Sequence, residues 1–223
     1  MQAWDSVSSS YHESALKDVV PNYEAKHIKY KKTLLDKTQP DVIVAGDSKG
    51  KLGYELLKQG TNYVIRSDTG TGKTTSFKQY LKDTGMPFIS IVSRVSLGQE
   101  QYHVIAKEGI DAKFYKCVSN RFNQDDSCIT TIESIHHLMD LDVGKYVLFL
   151  DEFNSLVEHL HTSTTLQNNR CNSYMALVRL LNECQQVICA DADVSDKSLD
   201  FLKQFCGKKF QCVKNTYKHN SNV

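Results

Sequence analysis

The stretch VIRSDTGTGKTTSFKQYL, residues 64–81, constrains the fold of this chain more than any other part of it. A short apolar run precedes a loop with two glycines, and a pattern with helical periodicity follows. Between a strand and a helix, the backbone N–H groups of such a loop surround an anion, and the helix adds the positive end of its dipole. We therefore predict a strand–loop–helix unit that holds a polyphosphate.

Short apolar runs alternate with amphipathic stretches from residue 41 onward. Strands are predicted at 41–46, 62–67, 87–92, 112–116, 128–131, 146–150, 186–190 and 210–213. Helices are predicted near 73–84, 95–107, 133–139, 153–160, 172–184 and 195–205. Some strands, such as YVLFL, are apolar throughout, as expected of central strands covered on both faces. The alternation predicts an α/β fold with a parallel sheet, in which ligands bind at the carboxyl ends of the strands.

The ends of the chain differ in character from its centre. Residues 1–40 are polar and lysine-rich and stop at Pro40, so we expect a peripheral N-terminal segment. Residues 41–213 form the predicted main domain, and FQCV is expected to be its last, edge strand. Residues 214–223 are interpreted as the start of a linker to a second domain.

Composition narrows the protein class only partly. No run approaches the roughly 18 apolar residues that a membrane helix needs, and the N-terminus lacks the pattern of a signal peptide. Seven cysteines occur without a C-x-x-C pair, which favours a reduced, intracellular protein with no membrane partner. The net charge of +1 does not decide whether nucleic acid binds, because basic residues can gather in one groove.

The loop departs from the full G-x-x-x-x-G-K-[ST] pattern, because Ser67 stands where the first glycine would be. The remaining chemistry is present. The candidate nucleotide-binding residues are Thr69, Gly70, Thr71, Gly72, Lys73, Thr74 and Thr75. Lys73 is expected to reach the β- and γ-phosphates of ATP, and the Thr74 hydroxyl to join the Mg²⁺ shell. The alternative is a chance Gly-Thr loop.

A second motif, YVLFLDEFNS, places two acids directly after an apolar strand. We expect Asp151 to hold Mg²⁺ through water, together with Thr74, and Glu152 to polarise the attacking water. With Lys73, these two acids are the candidate catalytic residues, and the pair indicates hydrolysis rather than phosphoryl transfer to a metabolite. The alternative is a helix N-terminus that merely prefers acidic residues.

These motifs together resemble the first motor domain of superfamily 2 helicases. Further segments in order, ISIVSRVSLGQEQ, CITTIESIHHL, TSTTLQNNR and VICADADVSDKSLDFL, narrow the resemblance to the herpesvirus origin-binding-protein family of replicative helicases, over about residues 60–218. The DEFN box departs from the DEAD and DEAH forms but keeps both acids. The resemblance implies a three-layer RecA-like P-loop NTPase domain, ATP and Mg²⁺ as cofactors, DNA as partner, and a place in host cytoplasm or nucleus where viral or phage DNA replicates.

Two segments match those that helicases use against the nucleic-acid backbone. The residues concerned are Ser93, Arg94, Ser96, Thr130, Thr131 and Ser134. Hydroxyls and a guanidinium at strand ends suit phosphate contacts. For both segments, simple helix capping is the alternative explanation.

The ADAD segment matches the place where helicases couple hydrolysis to domain movement, which points to Asp191 and Asp193 as coupling residues. Capping of the helix expected near residue 195 is the alternative. Arg170 is either a phosphate or strand contact or an ordinary surface arginine.

Three other classes fit less well. A nucleotide or metabolite kinase needs an arginine-rich lid, and arginines here are few and dispersed. A GTP-driven switch needs an Asn-Lys-x-Asp segment, which is absent. A degenerate scaffold would not keep Lys73, Thr74, Asp151 and Glu152.

Since a helicase closes two motor domains around ATP and few residues follow Asp193, we expect this chain to be an excised first motor domain. Such a domain would bind nucleotide, hydrolyse it poorly and not unwind nucleic acid alone.

Overall fold

The computed structural model describes residues 39–45, 51–117, 122–166 and 168–217. Within them the strands are β1 Val42–Val44, β2 Asn62–Arg66, β3 Phe88–Val92, β4 Lys113–Phe114, β5 Cys128–Thr131, β6 Val147–Asp151, β7 Gln186–Asp191 and β8 Phe210–Asn215. The α-helices are α1 Lys73–Thr84, α2 Val95–Lys107, α3 Phe153–Thr162, α4 Arg170–Glu183 and α5 Asp196–Phe205. Short 3₁₀ helices span Tyr54–Leu56, Tyr115–Cys117 and Ile132–Leu138. The predicted N-terminal segment falls almost entirely outside the described residues.

The strands form one sheet in the order β1-β8-β2-β7-β6-β3-β5-β4, and every pair is parallel. The predicted parallel α/β architecture is therefore confirmed. The expectation that residues 210–213 form an edge strand is wrong, because β1 pairs along the outer side of β8 and places it inside the sheet. The helix expected at 133–139 is a 3₁₀ helix, and the strand expected at 112–116 is reduced to Lys113–Phe114.

Two apolar cores lie on opposite faces of the sheet and give the molecule three layers. Alternate residues of β6 contribute to each core: Leu148 and Leu150 pack on the face covered by α3, α4 and α5, while Val147 and Phe149 pack on the face covered by α1 and α2. This alternation is why YVLFL is apolar at every position.

The predicted phosphate-binding loop, residues 67–74, is called the phosphate loop below. The helix that begins in it is bounded at both ends by glycines with left-handed backbone. Gly72 precedes α1 with a φ of 85°, and Gly85 follows it with a φ of 62°. Glycine adopts this conformation without the steric penalty of a Cβ atom, so both ends of α1 are set by local sequence.

Strand register brings three loops together at the carboxyl ends of neighbouring strands. Arg66 at the end of β2 pairs with Asp191 of β7, and Asp151 at the end of β6 pairs with Ala190 of β7. The phosphate loop, the two acids at the end of β6 and the ADAD segment therefore lie side by side. Among the described residues, no helix is both long and apolar enough to cross a membrane.

Candidate nucleotide-binding site

The phosphate loop turns tightly through two glycines. Gly70 has a φ of 76° and Gly72 a φ of 85°, both in the left-handed region. A Cβ atom on Gly72 would lie 3.3 Å from the Lys51 side chain, so this position is constrained in space as well as in backbone angle. The loop opens onto the N-terminus of α1, where backbone N–H groups and the helix dipole favour an anion.

Ser67, which replaces the first glycine of the loop pattern, has a structural role. Its hydroxyl lies 2.6 Å from the Thr71 hydroxyl and accepts a hydrogen bond of 3.0 Å from the Asn215 side chain. The Thr71 hydroxyl is also 2.6 Å from the Asp68 carbonyl. Ser67 and Thr71 are each 1% exposed, so this buried hydrogen-bond network stabilises the loop from the protein interior and connects it to the end of β8.

Lys73 lies at the centre of the site. Its ammonium group donates hydrogen bonds to the carbonyl oxygens of Ser67 at 2.7 Å and Asp68 at 3.0 Å. Burial lowers the pKa of Lys73, and the surrounding carboxylates oppose that change, Asp151 most strongly and then Asp191. A cation held among carboxylates at the end of a phosphate loop is placed to bind phosphate oxygens.

Asp151 is almost completely buried and is held by three donors. Its Oδ2 accepts hydrogen bonds from the Thr74 hydroxyl at 3.2 Å and from the Gln101 amide at 2.8 Å. Its Oδ1 accepts one from the Glu152 backbone N–H at 3.1 Å. Burial raises the pKa of Asp151, while the hydrogen bond from Gln101 is the strongest of the effects that lower it. The donors thus offset part of the cost of burying this charge.

Glu152 has left-handed backbone, with a φ of 52° and a ψ of 48°, and stands at the N-cap of α3. This conformation is uncommon for a residue with a Cβ atom and carries strain. It turns the chain sharply between β6 and α3. The Ser93 hydroxyl lies 3.4 Å from the Glu152 carboxylate, which joins the end of β3 to the acid.

The two aspartates of the ADAD segment behave differently. The buried Asp191 carboxylate accepts hydrogen bonds from the backbone N–H groups of Asn154 at 2.7 Å and of Asp193 at 3.0 Å. Asp193 is exposed, and its carboxylate lies 3.7 Å from Arg66. Capping of the following helix does not explain either residue, because Ser195 caps α5 and accepts from the Ser198 N–H. Asp191 instead links β7 to the first turn of α3, directly after Glu152.

The candidate nucleic-acid residues divide by exposure. Arg94 and Ser96 are exposed and Ser134 is half-buried, whereas Ser93, Thr130 and Thr131 are buried. Capping by Ser93 or Ser96 is not what the structure shows, because Arg94 occupies the N-cap of α2 and makes no side-chain capping bond. Thr131 occupies the N-cap of the 3₁₀ helix Ile132–Leu138, also without a side-chain capping bond.

Three further predicted residues lie at the margins of the site or away from it. Thr69 and Thr75 are exposed at the phosphate loop and at the start of α1. Arg170 lies at the start of α4, where it donates a hydrogen bond of 2.7 Å to the Ser163 carbonyl. That contact makes Arg170 a local anchor for the chain before α4.

Three residues at the site were missed by sequence reasoning. Gln101 has a recognisable signal, since it is a polar side chain on the buried stripe of α2 between Gly98 and Ile105. Lys51 donates a hydrogen bond of 2.5 Å to the Gly70 carbonyl, and nothing in its local pattern indicates this. Asn154, in the DEFN box, accepts hydrogen bonds from the Ser195 and Ser198 hydroxyls, which pins α3 to α5.

The residues present fit a magnesium nucleotide. Thr74 and Asp151 offer two oxygen ligands, whereas no group of three or more His, Cys, Asp or Glu side chains converges anywhere in the described part of the chain. Mg²⁺ bound with phosphates takes only one or two protein ligands and keeps several waters, so two side chains beside a phosphate loop are sufficient.

Comparison with known proteins relates the chain to one described family. The sequence profile of the family described as origin of replication binding protein matches residues 32–221. The replication origin-binding protein of varicella-zoster virus (strain Dumas) is 28% identical over 163 residues, which are 69% of this chain and 19% of that protein. The chain therefore spans a small part of this relative's length.

Two solved structures share the fold, although their sequences are distant. A DEAD box protein from the hyperthermophile Methanococcus jannaschii superposes with a TM-score of 0.52 at 16% identity, covering 73% of this chain and 47% of that chain. S. cerevisiae Dbp5, solved bound to RNA and ADP BeF3, gives a TM-score of 0.51 at 17% identity over 73% of this chain and 44% of its own. The predicted three-layer RecA-like fold is thus confirmed. Because the family match takes in every strand of the sheet, the protein is a member of the origin of replication binding protein family, as its motifs predicted.

Proposed function

We propose that this chain is the ATP-binding first motor domain of an ATP-dependent DNA helicase that acts in the initiation of viral DNA replication. The contact between the Thr74 hydroxyl and the Asp151 carboxylate supports this most strongly. It joins the phosphate loop to the proposed metal-binding acid at the carboxyl end of the sheet. Neither motif alone distinguishes an ATP site from a chance loop or a helix N-terminus. Their convergence supports an ATP site.

Each residue of the site has a distinct part in the proposed reaction. The loop N–H groups and Lys73 bind the phosphates, and Thr74 and Asp151 hold Mg²⁺. Mg²⁺ held by Thr74 and Asp151 would supply positive charge that stabilises the charge on the phosphates. Glu152 orients the attacking water and accepts its proton. Asp191, which contacts the first turn of α3, links a change at the phosphates to movement of the helix that follows Glu152.

Nucleic acid is proposed to lie along the surface that carries Arg94, Ser96 and Ser134, because these candidates are accessible. The buried Ser93 bonds Glu152 and therefore connects this surface to the site of hydrolysis. Thr130 and Thr131 are buried in the sheet, so they would support this surface rather than contact the nucleic acid. DNA is the proposed partner because the family is named for binding a replication origin.

A second motor domain of the full-length protein is proposed as the other partner. Developing charge on the γ-phosphate needs cations beyond Lys73, such as arginine fingers from that domain. The chain alone is therefore expected to bind ATP but turn it over slowly. The proposed setting is the host cell, in the cytoplasm or nucleus, where viral DNA replicates.

Calorimetric titration of the chain with a non-hydrolysable ATP analogue, with and without Mg²⁺ and short single-stranded DNA, tests the proposal. We expect both ligands to bind. Lys73→Ala should lower the affinity for the nucleotide, and Arg94→Ala should lower the affinity for the DNA. An equal preference for single-stranded RNA would overturn the assignment to DNA. Failure of the nucleotide to bind would overturn the ATP site itself.

A further inference from the structure

We propose that Gln101 is a positioning residue for the metal site: its side-chain amide holds the Asp151 carboxylate in the orientation in which that group binds Mg²⁺. This inference rests on the proposed function, since it takes Asp151 as a magnesium ligand. The side-chain amide of Gln101 is hydrogen-bonded to Asp151 and Ser90, so its effect on the site is exerted through Asp151.

The position of Gln101 is unusual for its chemistry. The residue is 3% exposed, on the stripe of α2 that faces the sheet. An unpaired amide at such a position would be costly to bury, and an aliphatic side chain of similar length would be the ordinary choice. Both ends of the amide are paired instead. The amide nitrogen donates to Asp151 at 2.8 Å, and the amide oxygen accepts from the Ser90 hydroxyl at 2.7 Å.

Charge determines which way the amide of Gln101 points. If the amide were reversed, its oxygen would face the Asp151 carboxylate, and two acceptors would meet without a proton between them. In the observed orientation, the Ser90 hydroxyl on β3 donates to the amide oxygen and completes the pairing of the amide. Ser90 is itself completely buried and Gln101 is 3% exposed, so the hydrogen bond between them is shielded from competing water.

The donors to Asp151 come from separate elements and fix both of its oxygens. Oδ1 is held by the Glu152 backbone N–H, and Oδ2 is shared by Thr74 and Gln101. Thr74 belongs to the first turn of α1, beside the phosphate-binding loop, whereas Gln101 belongs to the packed interface of α2 with the sheet. Gln101 therefore holds the carboxylate from the protein interior, while Thr74 contacts it from the side of the phosphate loop.

The Mg²⁺ dependence of nucleotide binding tests this role, measured with a non-hydrolysable ATP analogue on the 223-residue chain. Gln101→Met keeps the length of the side chain and removes the donor. We expect it to weaken apparent Mg²⁺ affinity by about 10–100-fold, as removal of supporting partners does at other metal sites, with Mg²⁺-free nucleotide affinity unchanged. The matched control is Gln99→Met on the exposed side of α2, which should behave as wild type.

A milder variant keeps the inference testable if Gln101→Met does not fold. Ser90→Ala leaves Gln101 in place but removes the hydrogen-bond partner of its amide oxygen, so a smaller loss of Mg²⁺ affinity in the same direction is expected. Wild-type Mg²⁺ dependence in the folded variants would overturn the inference and leave the nucleotide site intact, as would equal losses with and without Mg²⁺. If the wild-type chain bound no nucleotide at all, the proposed function would fail and this inference with it.

Discussion

Thr74 and Asp151 are separated by 77 positions in the chain, yet the Thr74 hydroxyl donates a hydrogen bond of 3.2 Å to the Asp151 carboxylate. The strands that precede them, β2 and β6, are not neighbours, because β7 lies between them in the sheet. The contact therefore crosses the end of β7, where Asp191 also lies. The proposed phosphate-binding loop, the proposed magnesium ligands and the proposed coupling residue are thus collected at one strand end.

Lys73→Ala is expected to lower nucleotide affinity by at least about tenfold, because a hydrogen bond to a charged group contributes about 1.5–3 kcal/mol. Calorimetry with a non-hydrolysable ATP analogue measures this. Lys82→Ala is the control: Lys82 lies near the other end of α1 and pairs with Glu108 at the surface. Unchanged ATP affinity in Lys73→Ala would refute the assignment of the loop.

Glu152→Gln is expected to preserve nucleotide binding and to slow turnover in the full-length protein by about 10²–10⁴-fold, the usual contribution of a general base. DNA-stimulated release of phosphate is the measurement. Glu158→Gln, an exposed change further along α3, provides the control. Persistent turnover in Glu152→Gln would mean that another group activates the water.

Ser67→Ala is expected to destabilise the protein rather than to abolish phosphate contacts. The change leaves the buried side chains of Asn215 and Thr71 without one of their partners, at a cost of about 1–3 kcal/mol in free energy of unfolding. Urea denaturation measures the loss, with Thr164→Ala at an exposed position as the control. A variant as stable as wild type would show that the bracing network beneath the loop contributes nothing.

Tyr146→Phe is expected to have an effect on stability that depends on pH. Burial raises the pKa of Tyr146 to about 12, so the folded state favours the neutral phenol. The stability linked to this shift is present below the ordinary pKa of about 10 and is lost as the pH rises through 12.

At pH 7 the Tyr146→Phe variant loses the hydrogen bond from the Asp125 N–H and should be less stable by about 0.5–1.5 kcal/mol. At pH 10.5 wild type should itself have lost on the order of 1 kcal/mol through Tyr146, so the difference between the two proteins should nearly vanish. Urea unfolding at both pH values measures this. A difference that stays constant between them would contradict the raised pKa.

The sequence by itself determined the local elements and the motifs. Helices α1 and α2 begin and end where the pattern predicts, because glycine at positions 72 and 85 and the spacing of apolar residues act over a few residues. The place of the two acids at the carboxyl end of β6 was likewise predictable, since a strand that is apolar at every position is expected to be central, and ligands bind at the carboxyl ends of such strands.

The tertiary structure alone decided which distant residues meet. Strand order is set by packing across the whole sheet. No local pattern therefore indicates that β1 pairs with β8 or that the Asn215 side chain donates a hydrogen bond to Ser67. The burial of Thr130 and the hydrogen bond from Gln101 to Asp151 have the same origin. Periodicity specifies which face of an element is apolar, but a hydrogen bond between two elements depends on their register and separation, which exist only once the sheet has assembled.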